Sequence, residues 1–242
     1  MATTPNWGLP LFDGTERFAP VKNLFNAISN ALETALTTLG RQVPRAVTSA
    51  AARDALFPAP VNGDRCFRRD LGWEEVYFTA DQLTVGGNGW YPVAGKMPSF
   101  EMSRNEISTG PTLPNSGWYR ISSTLFPVVR NHGGYSQASG EVTLPYDGTY
   151  LVEFSALIQG GGSATGQRRG VIAAGSAGDE ANHILSIGFV GATDTTVSAT
   201  AGLPLSKGTA INLSLFQSSG AGANLLYRPG RTFFRLRYLG PS

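Results

Sequence analysis

The stretch GEVTLPYDGTY, residues 140–150, decides the fold. Val142 and Leu144 precede a Pro-Tyr-Asp-Gly break, and Tyr150, Val152 and Phe154 follow it. Each set is spaced by two, the period of a strand with one buried face. Pro145 presets its own φ and Gly148 tolerates positive φ. The break therefore reads as a tight turn that reverses the chain and pairs the two strands.

Outward from this turn, residues 97–242 carry the same pattern repeatedly. Short apolar-alternating runs occur in GWYRISSTLF, GGYSQASGEVTL, TYLVEFSALI, RRGVIAAG, HILSIGFV, TTVSATAGLPL, TAINLSLFQ and TFFRLRYLG, separated by Gly, Pro, Asn and Ser clusters. About eight short strands with such turns predict an all-β sandwich of jelly-roll type. The whole-chain composition agrees: 30 glycines and 15 prolines, with 15% charged residues, suit turns and strands better than helices. With 41% hydrophobic residues in 242, a sizeable core is available.

The expected class is mainly β, with an N-terminal helix, a small β-hairpin unit and a C-terminal jelly roll. The expected divisions are residues 1–45 for an N-terminal stretch and assembly helix, 46–96 for a linker and hairpin, and 97–242 for the sandwich. In VKNLFNAISNALETALTTLG, the residues Val21, Phe25, Ile28, Leu32, Ala35 and Leu39 alternate in steps of four and three. That spacing is a heptad seam, and Gly40 is placed as a helix C-cap. Leu24, Ala31 and Leu36 widen the stripe beyond what a two-stranded coil needs. The expectation is a three-helix bundle or docking onto a larger body, and at under three heptads the helix alone would not hold an oligomer. Residues 41–63 read as an Ala- and Pro-rich linker. Beyond them, Cys66-Phe67 and Val76-Tyr77-Phe78 read as strands joined by a turn at Asp70-Leu71-Gly72, with Trp90 closing the unit.

Several chemistries find little footing. The net charge is +2 and the arginines are scattered, which does not favour nucleic acid. A single cysteine, Cys66, excludes an intrachain disulfide and a cysteine-built zinc site. His132 and His183 have no acidic cluster near them in sequence, and no Gly-x-Ser-x-Gly elbow is present. Glu74 and Glu75 are adjacent on one strand and point to opposite faces, so they cannot flank one glycosidic bond. Asp179-Glu180 reads as a solvated turn. QGGGSATGQRR, residues 159–169, lacks the Gly-Lys-Ser/Thr ending of a phosphate-cradling loop. No catalytic, cofactor or metal residues are therefore assigned. The N-terminus lacks a positive, apolar signal region and no stretch reaches bilayer-spanning length, so synthesis in a cytoplasm without membrane insertion is expected.

Three stretches in order, GEVTLPYDGTYLVEFSALI, GLPLSKGTAINLSLF and TFFRLRYLG, resemble the globular head of the complement and tumour-necrosis-factor-like jelly-roll superfamily. Pro145, Gly148 and Tyr150 match its first motif, Leu205, Lys207 and Gly208 its second, and Phe233, Phe234 and Tyr238 its third. With Phe154, these mark the expected motif and core positions. The resemblance implies a homotrimer packed around a threefold axis. No collagen-like Gly-X-Y stem precedes the domain. Residues 4–93 resemble the N-terminal regions of minor tail and fibre proteins of bacteriophages, particularly those infecting actinobacteria, with Gly63, Asp64, Asp70, Gly72, Tyr77 and Trp90 as the matching positions.

These resemblances together imply a trimeric structural protein of a phage tail or other virion appendage. Its N-terminal part would join other virion proteins, and its jelly roll would bind polysaccharide or protein on the host surface. A capsid decoration or head-fibre protein, a carbohydrate-binding module and a polysaccharide-degrading tail enzyme remain alternatives. If successive strands alternate direction, the turns at 145–148 and 205–208 share one end with the C-terminus. Loops 160–167 and 218–230 then lie at the other, which makes Asn224, Tyr227, Arg228 and Arg231 candidate receptor contacts.

Overall fold

The computed structural model describes residues 2–3, 10–11, 19–160, 166–190 and 193–242. Trp7, Phe12, Phe18 and most of the 160–167 loop lie outside them. The chain divides into two compact units, residues 1–77 and 78–242.

The first unit opens with a two-residue antiparallel ladder between β1 (Ala2–Thr3) and β2 (Pro10–Leu11). Helix α1 spans Ala19–Gln42. It runs past Gly40, which is therefore helical and not a C-cap as expected. The stop is Pro44, whose ring disfavours helical geometry at Val43, and Val43 makes the last helical bond, to the Leu39 carbonyl. The stretch expected to be a linker is structured. It holds β3 (Arg45–Val47), parallel to β4 (Arg65–Arg68), and the short helix α2 (Ala50–Leu56), whose first turn is capped by the Ser49 hydroxyl accepting from the Ala52 N–H at 3.1 Å. A hairpin then joins β4 to β5 (Trp73–Phe78) through left-handed Gly72, as the Asp-Leu-Gly signal predicts.

Buried ion pairs fasten this unit. Asp64, with a fully buried carboxylate, takes both Arg41 Nε (2.5 Å) and Nη2 (2.6 Å). Glu75, also buried, receives Arg53 Nη1 at 2.7 Å, Trp73 Nε1 at 2.9 Å and Arg68 Nη1 at 3.4 Å. Glu74 points the other way and pairs with exposed Arg65 at 3.0 Å.

The second unit contains β6 (Gly89–Gly95), which carries Trp90, and then the sandwich strands β7 (Ser99–Ser103), β8 (Ser108–Leu113), β9 (Gly117–Arg120), β10 (Val128–His132), β11 (Ser136–Ala138), β12 (Glu141–Thr143), β13 (Gly148–Ile158), β14 (Gln167–Ala173), β15 (His183–Val190), β16 (Thr195–Leu205), β17 (Ala210–Gln217), β18 (Ala223–Tyr227) and β19 (Phe233–Gly240). The antiparallel pairs β7·β19, β12·β17, β13·β16 and β14·β15 are nested, first with last and innermost as a hairpin. Rolling that long ribbon brings β19 beside β13 and β17 beside β14. The result is two facing sheets, β10-β7-β19-β13-β16 and β11-β12-β17-β14-β15, which is the jelly roll. β18 and β8 extend the first sheet, and β9 extends the second.

One core fills the space between the sheets. Tyr150, Val152, Phe154, Ala156 and Ile158 from β13 face Ile211, Leu213 and Leu215 from β17, with Phe234, Leu236 and Tyr238 from β19 alongside. Gly170 on β14 has no side chain because the Phe154 ring occupies that space.

The opening stretch folds differently from the expected hairpin. β12 and β13 belong to opposite sheets and do not pair; the Pro-Tyr-Asp-Gly segment is a corner that carries the chain across the core. Both strands still bury alternate residues, because each faces the same interior. The corner is held by tyrosines. Tyr150 Oη donates to the Tyr146 carbonyl at 2.7 Å and accepts from the Tyr146 N–H at 3.2 Å, while Tyr238 Oη donates to the Asp147 carbonyl at 3.1 Å. Gly148 has φ +145°, and a Cβ there would collide with the Gly240 carbonyl and the Tyr238 ring, so glycine is required.

Candidate functional site

Three surfaces were singled out by the sequence or emerge from the fold, and the first is α1. Its apolar stripe faces solvent in the single chain: Leu24, Phe25, Ile28, Leu32 and Leu39 are each between 48% and 60% exposed. Ala35 is exposed on the same side, and the Val21 side chain is outside the described residues. Among the described side chains of the helix, the buried one is the polar Glu33, with Asn26, Ser29, Leu36 and Thr37 half-buried. An amphipathic helix of a closed monomer would show the reverse orientation.

The second surface is the edge of the sandwich formed by β15 and β16, one strand from each sheet. Ile184, Leu185, Ile187, Ala199, Leu203 and Leu205 pack against the core yet stay only partly covered, and Phe189 and Val190 at the end of β15 are exposed. This edge is invisible to pattern reading. HILSIGFV lacks clean alternation, and only the three-dimensional pairing of β13 with β16 and β14 with β15 shows that the core opens there.

The third surface is the end of the sandwich away from the C-terminus. The register sets Gly148 opposite Leu205 and Thr149 opposite Gly240, which gathers the 145–148 corner, the 205–208 turn and the C-terminus at one end. Asp147 Oδ1 accepts from the Lys207 N–H at 2.8 Å across the two turns, and left-handed Gly208 donates to the Leu144 carbonyl at 2.9 Å. Pro145 lies half-buried in that corner. Gln167 and Ser218 meet at the opposite end.

The four candidate contacts at that far end are not equivalent. Tyr227 is only 2% exposed, so the aromatic platform expected of it is not offered to a ligand. The cause is that residues 223–227, expected to be loop, form β18 paired with β8, and its alternation turns Ala223, Leu225 and Tyr227 into the core. There the Tyr227 ring meets Phe126 edge-on, with the Arg104 guanidinium 4.8 Å from its centre. Asn224 is half-buried, donating to Gln159 Oε1 and accepting from Thr112 Oγ1. Arg228 turns back to the Tyr227 and Ser108 carbonyls, which leaves Arg231 as the exposed member of the four. The partly exposed tryptophan of the sandwich is Trp118 on β9, packed edge-on to His183 and under Arg169.

The chemically suggestive residues are spread out. His132 Nε2 contacts the Lys96 carbonyl at 2.9 Å and His183 Nε2 the Ala177 carbonyl at 2.8 Å. Glu180 forms an ion pair with Arg169 at 3.5 Å. Among the described residues, no three His, Cys, Asp or Glu side chains converge on a point, and no helix is long and apolar enough to cross a membrane. Cys66 is enclosed; burial and the neighbouring Glu75 carboxylate push its thiol up to about 12.

No family model and no curated protein matches the chain. Solved structures similar to it include murine APRIL at pH 8.0, with 16% identity over 60% of this chain and 100% of that one and a TM-score of 0.44. Another is Eiger TNF from S. frugiperda, with 18% identity over 60% of this chain and 94% of that one and a TM-score of 0.41.

Proposed function

We propose that the chain is a homotrimeric virion protein of a bacteriophage, of tail-fibre or minor-tail type. Its N-terminal part attaches to the particle and its jelly roll binds the host surface without covalent chemistry. The observation that carries this reading is the apolar stripe of α1, on which Leu24, Ile28, Leu32 and Leu39 stay about half exposed in the single chain. Fully burying a Leu or Ile side chain is worth about 1.5–3 kcal/mol, so pooling several half-exposed ones per helix favours association. The width added by Leu24 and Ala31, both exposed, suits three helices better than two. The open β15–β16 edge gives the sandwich an apolar surface of its own to bury in the same assembly.

Host binding by such a protein would rest on avidity. Three weak sites on one rigid trimer, repeated around a particle, raise the overall affinity by about two to four orders of magnitude without a strong single site. Two measurements test the proposal. Gold-labelled antibody against the chain should decorate phage particles at an appendage, and absence from particles would overturn the virion role. Purified protein should be retained on host envelopes without releasing sugar; release of sugar would make it a polysaccharide-degrading enzyme instead.

A further inference from the structure

We propose that Lys96, Arg130 and Arg237, with the Ser99 hydroxyl, form a binding site for a phosphate-class oxyanion on the outer face of the sheet containing β7, β10 and β19. These four residues, with Gly95 and Met97, line a depression of about 610 Å³. They are distant in sequence, and the sheet register brings them together. Ser99 stands opposite Arg237 on one side and His132 on the other, while Arg130 stands two residues along, opposite Glu101, and therefore on the same face. Residues directly opposite in an antiparallel pair project to the same face, so Arg130, Ser99 and Arg237 share one surface.

The charges on that surface do not cancel. A cleft of about 30 Å³ lies alongside, lined by Glu101, Glu153 and Arg235 together with Arg130 and Arg237. Four cations, Lys96, Arg130, Arg235 and Arg237, thus stand against two carboxylates, Glu101 and Glu153, an excess of two positive charges. Glu101 is engaged by Arg235 Nη2 at 3.1 Å, and the register sets Glu153 opposite Arg235 as well. Lys96, Arg130 and Arg237 form no ion pair among the described residues, and their side chains are exposed and free to converge. The contact of His132 Nε2 with the Lys96 carbonyl involves the Lys96 backbone and not its ammonium.

Clustered like charges repel, and a compact dianion between them reverses the sign of every one of those interactions. Two guanidinium forks and an ammonium supply charge-assisted donors, and a serine hydroxyl adds a neutral one, a set that matches the several acceptor oxygens of a phosphate better than the two of a carboxylate. The site is complete within one chain.

The test is titration of the full chain, in chloride buffer of low ionic strength, with inorganic phosphate, glycerol 3-phosphate and acetate, followed by calorimetry and by phosphorus NMR line width. The expected result is saturable phosphate binding at one site per chain, with acetate weaker. Arg130→Gln and Arg237→Gln should each weaken it at least about tenfold, while Arg69→Gln, an exposed arginine of the other unit, leaves it unchanged. Equal binding of the two phosphates identifies the free ion as sufficient, and tighter binding of the ester identifies the terminal group of a larger molecule. Absence of saturable binding by both methods, or equal weakening by Arg69→Gln, overturns the proposal. Thermal unfolding of each variant checks that the sandwich is intact.

Discussion

The Phe154 ring on β13 lies against the backbone of Gly170 on β14, so closely that a Cβ at Gly170 would stand 2.4 Å from Phe154 Cε2 and 3.3 Å from Val197 Cγ2. The two strands belong to opposite sheets, and this contact sets how closely the sheets approach. Gly170→Ala should force the ring off its site and cost about 1–3 kcal/mol, as overpacking of a filled core does. Urea unfolding measures it. An unchanged midpoint would mean that the sheets can part at no cost.

Glu75 holds two arginines at the heart of the first unit. Removing one partner of a buried ion pair costs up to about 3–5 kcal/mol, and because Arg53 keeps Asp54 at 2.8 Å and Arg68 keeps Asp70 at 2.7 Å, the cost here lies at the lower end of that range. Arg53 and Arg68 side chains are only 14% and 9% exposed, so water offers them little relief. Glu75→Gln should therefore lower the stability of residues 19–77 far more than Glu74→Gln, whose partner Arg65 is solvated. Hydrogen exchange of the β4 and β5 amides separates the two variants, and similar exchange in both would contradict the network.

The jelly-roll tyrosines set a limit at high pH. Burial raises the Tyr135, Tyr150 and Tyr238 phenols above their ordinary value of 10.0, and burial with the Glu75 charge takes the Cys66 thiol from 9.0 up to about 12. The native state keeps these protons where the unfolded chain releases them. The native state then binds more protons than the unfolded one, so stability falls as pH rises. This stabilisation is complete below about pH 9 and is lost progressively above it, as the thiol and then the phenols of the unfolded chain ionise. Tyrosinate absorbance for these three should emerge only together with loss of the native circular dichroism. Their titration alongside exposed tyrosines in a folded protein would contradict the burial.

Period two locates β16, β19 and the first half of β13, which bury or half-bury alternate residues, whereas β14 and β17 are legible as short apolar runs buried on both faces. It could not say which strands pair. A hairpin and a corner give the same alternation on either side of Pro-Tyr-Asp-Gly, and only the distant partners of β12 and β13 distinguish them. β7, β8 and β10 carry few apolar residues, interrupted by Pro, Gly or charge, and β18 is a five-residue run between glycine-rich turns; the partners of all four lie far away in sequence. The mistaken exposure of Tyr227 follows directly from missing β18. The α1 stripe was legible, since heptad spacing is local, whereas the β15–β16 edge and the Lys96–Arg130–Arg237 cluster exist only through pairings across the chain.

Placing a charge in the α1 stripe separates an exposed helix from a bundled one. Ile28 is half exposed in the single chain, so Ile28→Asp should change the chain's own stability by no more than about 0.5 kcal/mol. In a bundle the same charge meets two apolar neighbours and is costly to bury. The expected outcome is faster amide exchange through residues 24–39 while the sandwiches remain associated. Unchanged exchange would show that the stripe meets no other copy.

The central claim is that three copies assemble, and the most direct measurement is the mass of the intact protein by light scattering at low micromolar concentration. The account predicts three times the 25.6 kDa of one chain. A single species of 25.6 kDa across that range would contradict it.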